Sequence, residues 1–150
     1  MTRINCIPPA ELTVKHLVAE YRELPRVFGL VRLAIARGEL PDDPRNPPAY
    51  TLGRGHIRFF YCRLGYLAKR QRGLVEEMQR RGYQPAFTET EQLVAGLPPE
   101  WCGDWEPTPE AITLNRARIA ERGGGPRADG DEPLRQGRTM LPSRRRSSAM

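Results

Sequence analysis

Apolar side chains at Leu17, Tyr21, Leu24, Phe28, Val31 and Ile35 recur at alternating intervals of four and three residues, which places them on one stripe of an α-helix. Gly38 is positioned to end that helix. Pro25 lies inside the pattern, where it removes a backbone hydrogen bond and disfavours helical geometry at Leu24, so a kink is expected there. A loop from Glu39 to about Tyr50 is marked by Pro41, Pro44, Pro47 and Pro48. Phe60, Leu64, Leu67, Ala68, Leu74, Val75 and Met78 then predict a second long helix, starting at His56 or a few residues later and closed by Gly82. Its other faces read as polar and basic, with Arg63, Lys69, Arg70, Arg72, Arg80 and Arg81. Between Tyr83 and Glu106 no helical period stands out, and Trp101 and Trp105 are expected to anchor this stretch to the core. Thr108 as N-cap, Pro109 at the first helical position and Glu110 beside them announce a third helix running to about Arg122.

The pattern changes at Gly123-Gly124-Gly125-Pro126. Beyond it the chain is rich in Gly, Pro, Arg and Ser, with no aromatic residue and very few large aliphatic ones, a composition that cannot offset its ordering entropy. The expected organisation is one helical domain over residues 1–122 and a disordered basic tail over residues 123–150, ending near Arg144-Arg145-Arg146. With no alternating strand pattern, the fold class is all-α, three helices joined by long loops. A chain of 150 residues with 39% hydrophobic content is enough for one core. A monomer is the default expectation.

Charge adds a partner class. Lys+Arg number 24 against 18 Asp+Glu, giving +6, and only Lys15 and Lys69 among the cations are lysines. Net positive charge favours nucleic acid over acidic proteins, although GC-rich coding alone also exchanges lysine for arginine. Cys6, Cys62 and Cys102 are far apart and form no Cys-x-x-Cys or Cys/His cluster, which argues for reduced thiols and against a zinc site. No segment resembles a signal peptide or approaches the ~18 apolar residues of a membrane span, so a soluble, cytoplasmic protein is expected.

At 100° per residue, Lys15, Ala19, Arg22, Glu23 and Arg26 fall roughly opposite the first apolar stripe. One carboxylate among three cations, with a small residue leaving room for approach, fits an anion-binding patch holding a catalytic carboxylate; an ordinary solvated face with i,i+4 pairs fits the same spacing. His16 adjoins the patch. His56 follows Gly53-Arg54-Gly55, which lacks the strand and third glycine of a dinucleotide loop and reads as a structural turn with a hydrogen-bonded histidine. Neither a Ser/His/Asp order, nor a phosphate-binding P-loop, nor a carboxylate cluster suited to magnesium appears, and metal-free, cofactor-free chemistry is expected. Thr2 supplies a different nucleophile: its small side chain ordinarily leads to removal of Met1, freeing an α-amine. With a reference pKa of roughly 7.7 to 8.0 against about 10.4 for lysine, such an amine is unprotonated to roughly a tenth at neutral pH and is suited to imine formation.

Together these residues resemble the pyrimidine-dimer DNA glycosylase/AP lyases of the phage endonuclease V type. The resemblance rests on Thr2-Arg3-Ile4-Asn5, on His16-Leu17 and Ala19 through Gly29, on Leu52-Gly53 with Gly55-His56 and Phe59-Phe60-Tyr61, on Lys69-Arg70-Gln71, and on Gly103-Asp104 with Pro107. It implies a DNA repair enzyme that excises cyclobutane pyrimidine dimers through the Thr2 α-amine and cuts the strand by β-elimination, with Glu23 as the catalytic carboxylate. It further implies duplex DNA bearing dimers or abasic sites as partner, gripped by Arg3, Arg22 and Arg26 with His16 beside them, and by Arg118 and Arg122 on the third helix. Lys15 stands where the phage enzyme has a neutral amide, a change expected to strengthen phosphate binding. The aromatic-rich end of the phage enzyme has no counterpart after Trp105, which bears on dimer affinity and lesion preference. A non-catalytic basic helical DNA-binding protein, a glycosylase/lyase for another lesion, and a hydrolase using the Thr2 hydroxyl are the competing readings.

Overall fold

Thr13 opens the first helix: its hydroxyl oxygen accepts the His16 backbone N–H, satisfying one of the otherwise orphaned first-turn donors of α1 (Val14–Glu23). The computed structural model that shows this describes residues 3–122. At Leu24 and Pro25 both residues keep right-handed helical angles, but Val27 and Phe28 donate to the carbonyls of Leu24 and Pro25, three residues back rather than four. The expected kinked rod is therefore realised as α1 and α2 (Arg26–Ala36), joined by one tightened turn at the proline. Gly38 closes α2 at φ 89°, a left-handed angle that costs a glycine nothing, and Glu39 N–H returns to the Ala34 carbonyl.

The next helix begins later than its apolar period suggests. Gly53 and Gly55 both adopt positive φ, and Arg58–Phe60 form a 3-10 turn, so α3 spans Leu64–Arg80 and the run from His56 to Arg63 belongs to the loop. Gly82 terminates α3 at φ 95°. The stretch before the last helix holds two 3-10 turns, Thr90–Val94 and Pro99–Trp101, and α4 spans Pro109–Glu121 under the expected Thr108 cap, whose side chain accepts Ala111 N–H at 3.0 Å. Among the described residues there is no strand, only an isolated antiparallel bridge between Arg63 and Cys102. The all-α expectation is met. The expected disordered tail lies outside the described residues.

One core joins these elements. Leu17, Leu24, Val27, Phe28, Val31 and Ala34 from α1 and α2 bury against Leu64, Leu67, Leu74 and Met78 of α3, with Ile119 of α4. Tyr50 and Trp105 stack at 5.7 Å between ring centroids, and Trp105 meets Phe59 and Tyr66 edge-on, which ties the loops before and after α3 together. Where the 102–103 segment crosses the start of α3 the backbones touch. A methyl group on Gly65 would lie 2.6 Å from the Cys102 carbonyl oxygen.

The N-terminal segment belongs to this core. Ile4, Asn5, Cys6 and Ile7 are buried, although they form no helix or strand. Side chains from elsewhere therefore satisfy their backbone. His56 Nε2 accepts Ile4 N–H at 2.8 Å, the Tyr50 hydroxyl donates to the Ile4 carbonyl at 3.2 Å, and Asn115 Oδ1 accepts the N–H groups of Cys6 and Ile7 at 2.7 and 3.1 Å. The other ring nitrogen of His56 lies 2.8 Å from the Thr51 carbonyl, so the histidine read as structural bridges two loops.

Because Nε2 must accept, His56 works as the neutral ring, and burial lowers its pKa from 6.5 to about 4. On acidification the unfolded chain takes up this proton first. Stability should thus be fully present above pH 6.5 and decline as pH falls from 6.5 towards about 4. Urea unfolding at about pH 7.5 and about pH 5 should show a loss on the order of 2 kcal/mol from this group. The slope over that window should be shallower in His56→Gln, and an equal slope in both proteins would contradict the assignment.

Candidate active site

Residues 16, 19, 20 and 23 share one face of α1, at helical intervals of three and four. That face opens onto a cleft of about 250 Å³ whose walls include His16, Ala19, Glu20 and Glu23 from α1, Arg118, Ile119 and Arg122 from α4, and Arg3 and Asn5 from the N-terminal segment. Ala19 is exposed, and its short side chain leaves the approach to Glu23 open. Glu23 is 29% exposed and pairs with Arg26 Nη1 at 3.0 Å, a contact weakened by solvent since the Arg26 side chain is 69% exposed.

The cations of the cleft act on one another. The Arg3 guanidinium is held below its ordinary pKa by burial and then by the positive charges of Arg118 and Arg122. His16 is likewise lowered, first by burial, then by Lys15 and Arg122, against an opposing pull from Glu20. Its Nδ1 sits 3.0 Å from the Thr13 hydroxyl. Arg3 Nη1 is buried and meets no hydrogen-bond acceptor among the described residues. Like charges gathered around a donor without an acceptor favour an anion.

Behind this wall lies a closed circuit of buried polar side chains. Asn115 Oδ1 faces two backbone N–H groups, which forces its Nδ2 to donate to Asn5 Oδ1 at 2.8 Å. Asn5 Nδ2 consequently donates to Glu20 Oε1 at 2.8 Å. Arg70 completes Glu20 with Nε on Oε2 at 2.8 Å and Nη2 on Oε1 at 3.0 Å, and its Nη1 donates to the Ile7 carbonyl, back where the circuit began. Glu20 receives three N–H donors and gives none, the pattern of a carboxylate.

Of the sequence-predicted residues, Arg3, His16, Glu23, Arg118 and Arg122 come together in the cleft. Lys15, Arg22 and Arg26 do not line it and stand exposed on the neighbouring surface, Arg26 reaching it through Glu23. Thr2 lies outside the described residues. Arg70 was expected on a basic outer face and is instead buried, because Glu20 on α1 supplies the counter-charge that burial of a guanidinium demands. A signal for this pair existed in the chain: Glu20 sits between Leu17 and Leu24 on the apolar stripe of α1, and Arg70 between Leu67 and Leu74 on that of α3. Asn115 holds the same place between Ala111 and Ile119 on α4. Cys6 is buried, and that burial pushes its thiol up to about 11, well away from the thiolate form at neutral pH.

A helical protein with an arginine-walled cleft around one accessible carboxylate has the makings of an enzyme that acts on a phosphate-bearing polymer. Residues 1–89, more than half of the chain, match the family described as pyrimidine dimer DNA glycosylase, and the chain belongs to that family of DNA repair enzymes. The match spans Arg3, His16 and Glu23; α4, with Arg118 and Arg122, follows it in the chain.

The mutual effect of the cleft cations is measurable. Arg122→Ala should raise the His16 pKa towards 6.5, because a repelling positive charge has been removed. Titration of the His16 ring signals by NMR checks this; an unchanged or lower value would separate Arg122 from the cleft electrostatics.

Proposed function

We propose that the protein excises cyclobutane pyrimidine dimers from duplex DNA with the α-amine of Thr2 and then cleaves the strand as an AP lyase. The observation that carries this reading is that Arg3, one peptide link from Thr2, lines the same cleft as Glu23. The amine nitrogen attacks C1′ of the 5′ nucleotide of the dimer, and the C1′–N glycosidic bond breaks with its electron pair leaving on the base, which takes up a proton. Opening of the sugar ring and loss of a proton from nitrogen leave an iminium linking C1′ to the enzyme. A base removes the C2′ proton, and the electrons released expel the 3′ phosphate by breaking the C3′–O bond. Hydrolysis of the imine returns the amine.

Glu23 stabilises the cationic sugar and supports removal of the C2′ proton. Arg3, Arg118 and Arg122, with His16, hold phosphates around the lesion, while Lys15, Arg22 and Arg26 extend the grip along the backbone on the exposed side. The target nucleotide leaves the stack, at least cost where a lesion has already weakened pairing.

Borohydride reduction during reaction with a duplex containing one thymine dimer should leave a covalent adduct on Thr2, located by mass spectrometry of the processed protein. An adduct on an abasic-site duplex alone would keep the lyase and move the lesion specificity elsewhere; no adduct on either would leave a DNA-binding protein without this chemistry. Glu23→Gln should slow strand cleavage by about 10² to 10⁴-fold while duplex binding stays within about two-fold. Thr2→Gly should retain activity if the amine attacks, whereas a hydroxyl nucleophile would be lost.

A further inference from the structure

The buried circuit has a direction that packing alone does not require. We propose that Asn5, Glu20, Arg70 and Asn115 are positioning residues for the reaction: they fix the register of the N-terminal segment against α1, so that the chain leaves Arg3 aligned with Glu23. This rests on the amine-based reading above.

Three observations support it. First, Glu20 and Glu23 stand one turn apart on the same rigid helix, so the anchor of the segment and the carboxylate of the cleft move as one body. Second, the segment from Ile4 to Ile7 is held at both ends by side chains: His56 and Tyr50 take the N–H and C=O of Ile4, Asn115 takes Cys6 and Ile7 N–H, and Arg70 takes the Ile7 carbonyl. A one-residue slip would break all of these contacts. Third, the Glu20 and Arg70 side chains are only 1% and 5% exposed. An ion pair so deeply buried gives little net stability over an apolar pair of equal volume, but it does fix geometry through directional bonds. Displacement of a reacting group by about 1 Å is enough to cost on the order of 10²-fold in rate.

Two variants test the proposal. Arg70→Lys keeps the buried charge but lacks the fork that grips Glu20 and the Ile7 carbonyl together. Insertion of one glycine between Thr2 and Arg3 leaves the circuit intact and moves the amine by up to about 3.5 Å. Each is compared with the wild type for single-turnover formation of the borohydride-trapped adduct on an abasic-site duplex, for duplex affinity and for urea unfolding midpoint. Both should trap at least about 30-fold more slowly with duplex affinity within about two-fold, and the insertion should keep the wild-type midpoint. Wild-type trapping rates in either variant would overturn the proposal. So would a rate loss in Arg70→Lys that merely follows its unfolded fraction, since that is the mark of a structural role. If the wild type itself gave no N-terminal adduct, the amine-based reading would fail first; trapping by the wild type with undiminished variants would remove the positioning role alone.

Discussion

The buried ion pair between Glu20 and Arg70 is the constraint on which the molecule turns. Removing either partner would leave an uncompensated charge in the interior, at a cost of roughly 3 to 5 kcal/mol. The pair joins α1 to α3 directly, reaches the N-terminal segment through Asn5 and the Ile7 carbonyl, and reaches α4 through Asn115. Those are the elements that wall or brace the cleft. A buried polar circuit of this kind is costly to satisfy only in part, so the four elements favour one mutual arrangement.

The net charge of +6 is distributed in two different ways. Many surface cations are committed to carboxylates: Arg45 to Asp43 and Glu39, Arg58 to Glu39, Lys69 to Asp104, Arg80 and Arg81 to Glu77, Arg116 to Glu11. Arg3, Arg118 and Arg122 instead line one cleft, Arg118 also pairing with Glu121 at 3.5 Å, and burial, with Arg122 and Arg3 adding to it, lowers the pKa of His16 beside them. The first kind braces loops and helix ends. The second gathers like charges in one place, an arrangement that favours an anionic ligand.

Much of the fold was legible because its causes are local. The apolar stripes, the Thr108 cap, the terminating glycines at 38 and 82 and the two tryptophans act through neighbouring residues or through burial. The start of α3 was misplaced because Phe59 and Phe60 continue an apolar pattern through a 3-10 turn, and periodicity cannot separate that turn from the helix after it. The cleft was half legible. Glu23 and His16 share a helix face, but the meeting of α1 with Arg118 and Arg122 is a tertiary fact, which only the family resemblance brought forward. Arg70 goes against the usual exposure of a lone arginine: its place between Leu67 and Leu74 signals burial, but the Glu20 that makes burial possible lies 50 residues away.

The hold of Asn115 on the N-terminal segment has a consequence for the life of the chain. The bond between Asn115 and Asn5 spans 110 residues, and it closes a loop whose entropy is repaid only when α4 is in place. During synthesis the first residues leave the ribosome long before their partner on α4 exists. A chain stopped before α4 would therefore hold its N-terminal segment through His56, Tyr50, Glu20 and Arg70 alone, and the cleft would be completed only once α4 had joined them.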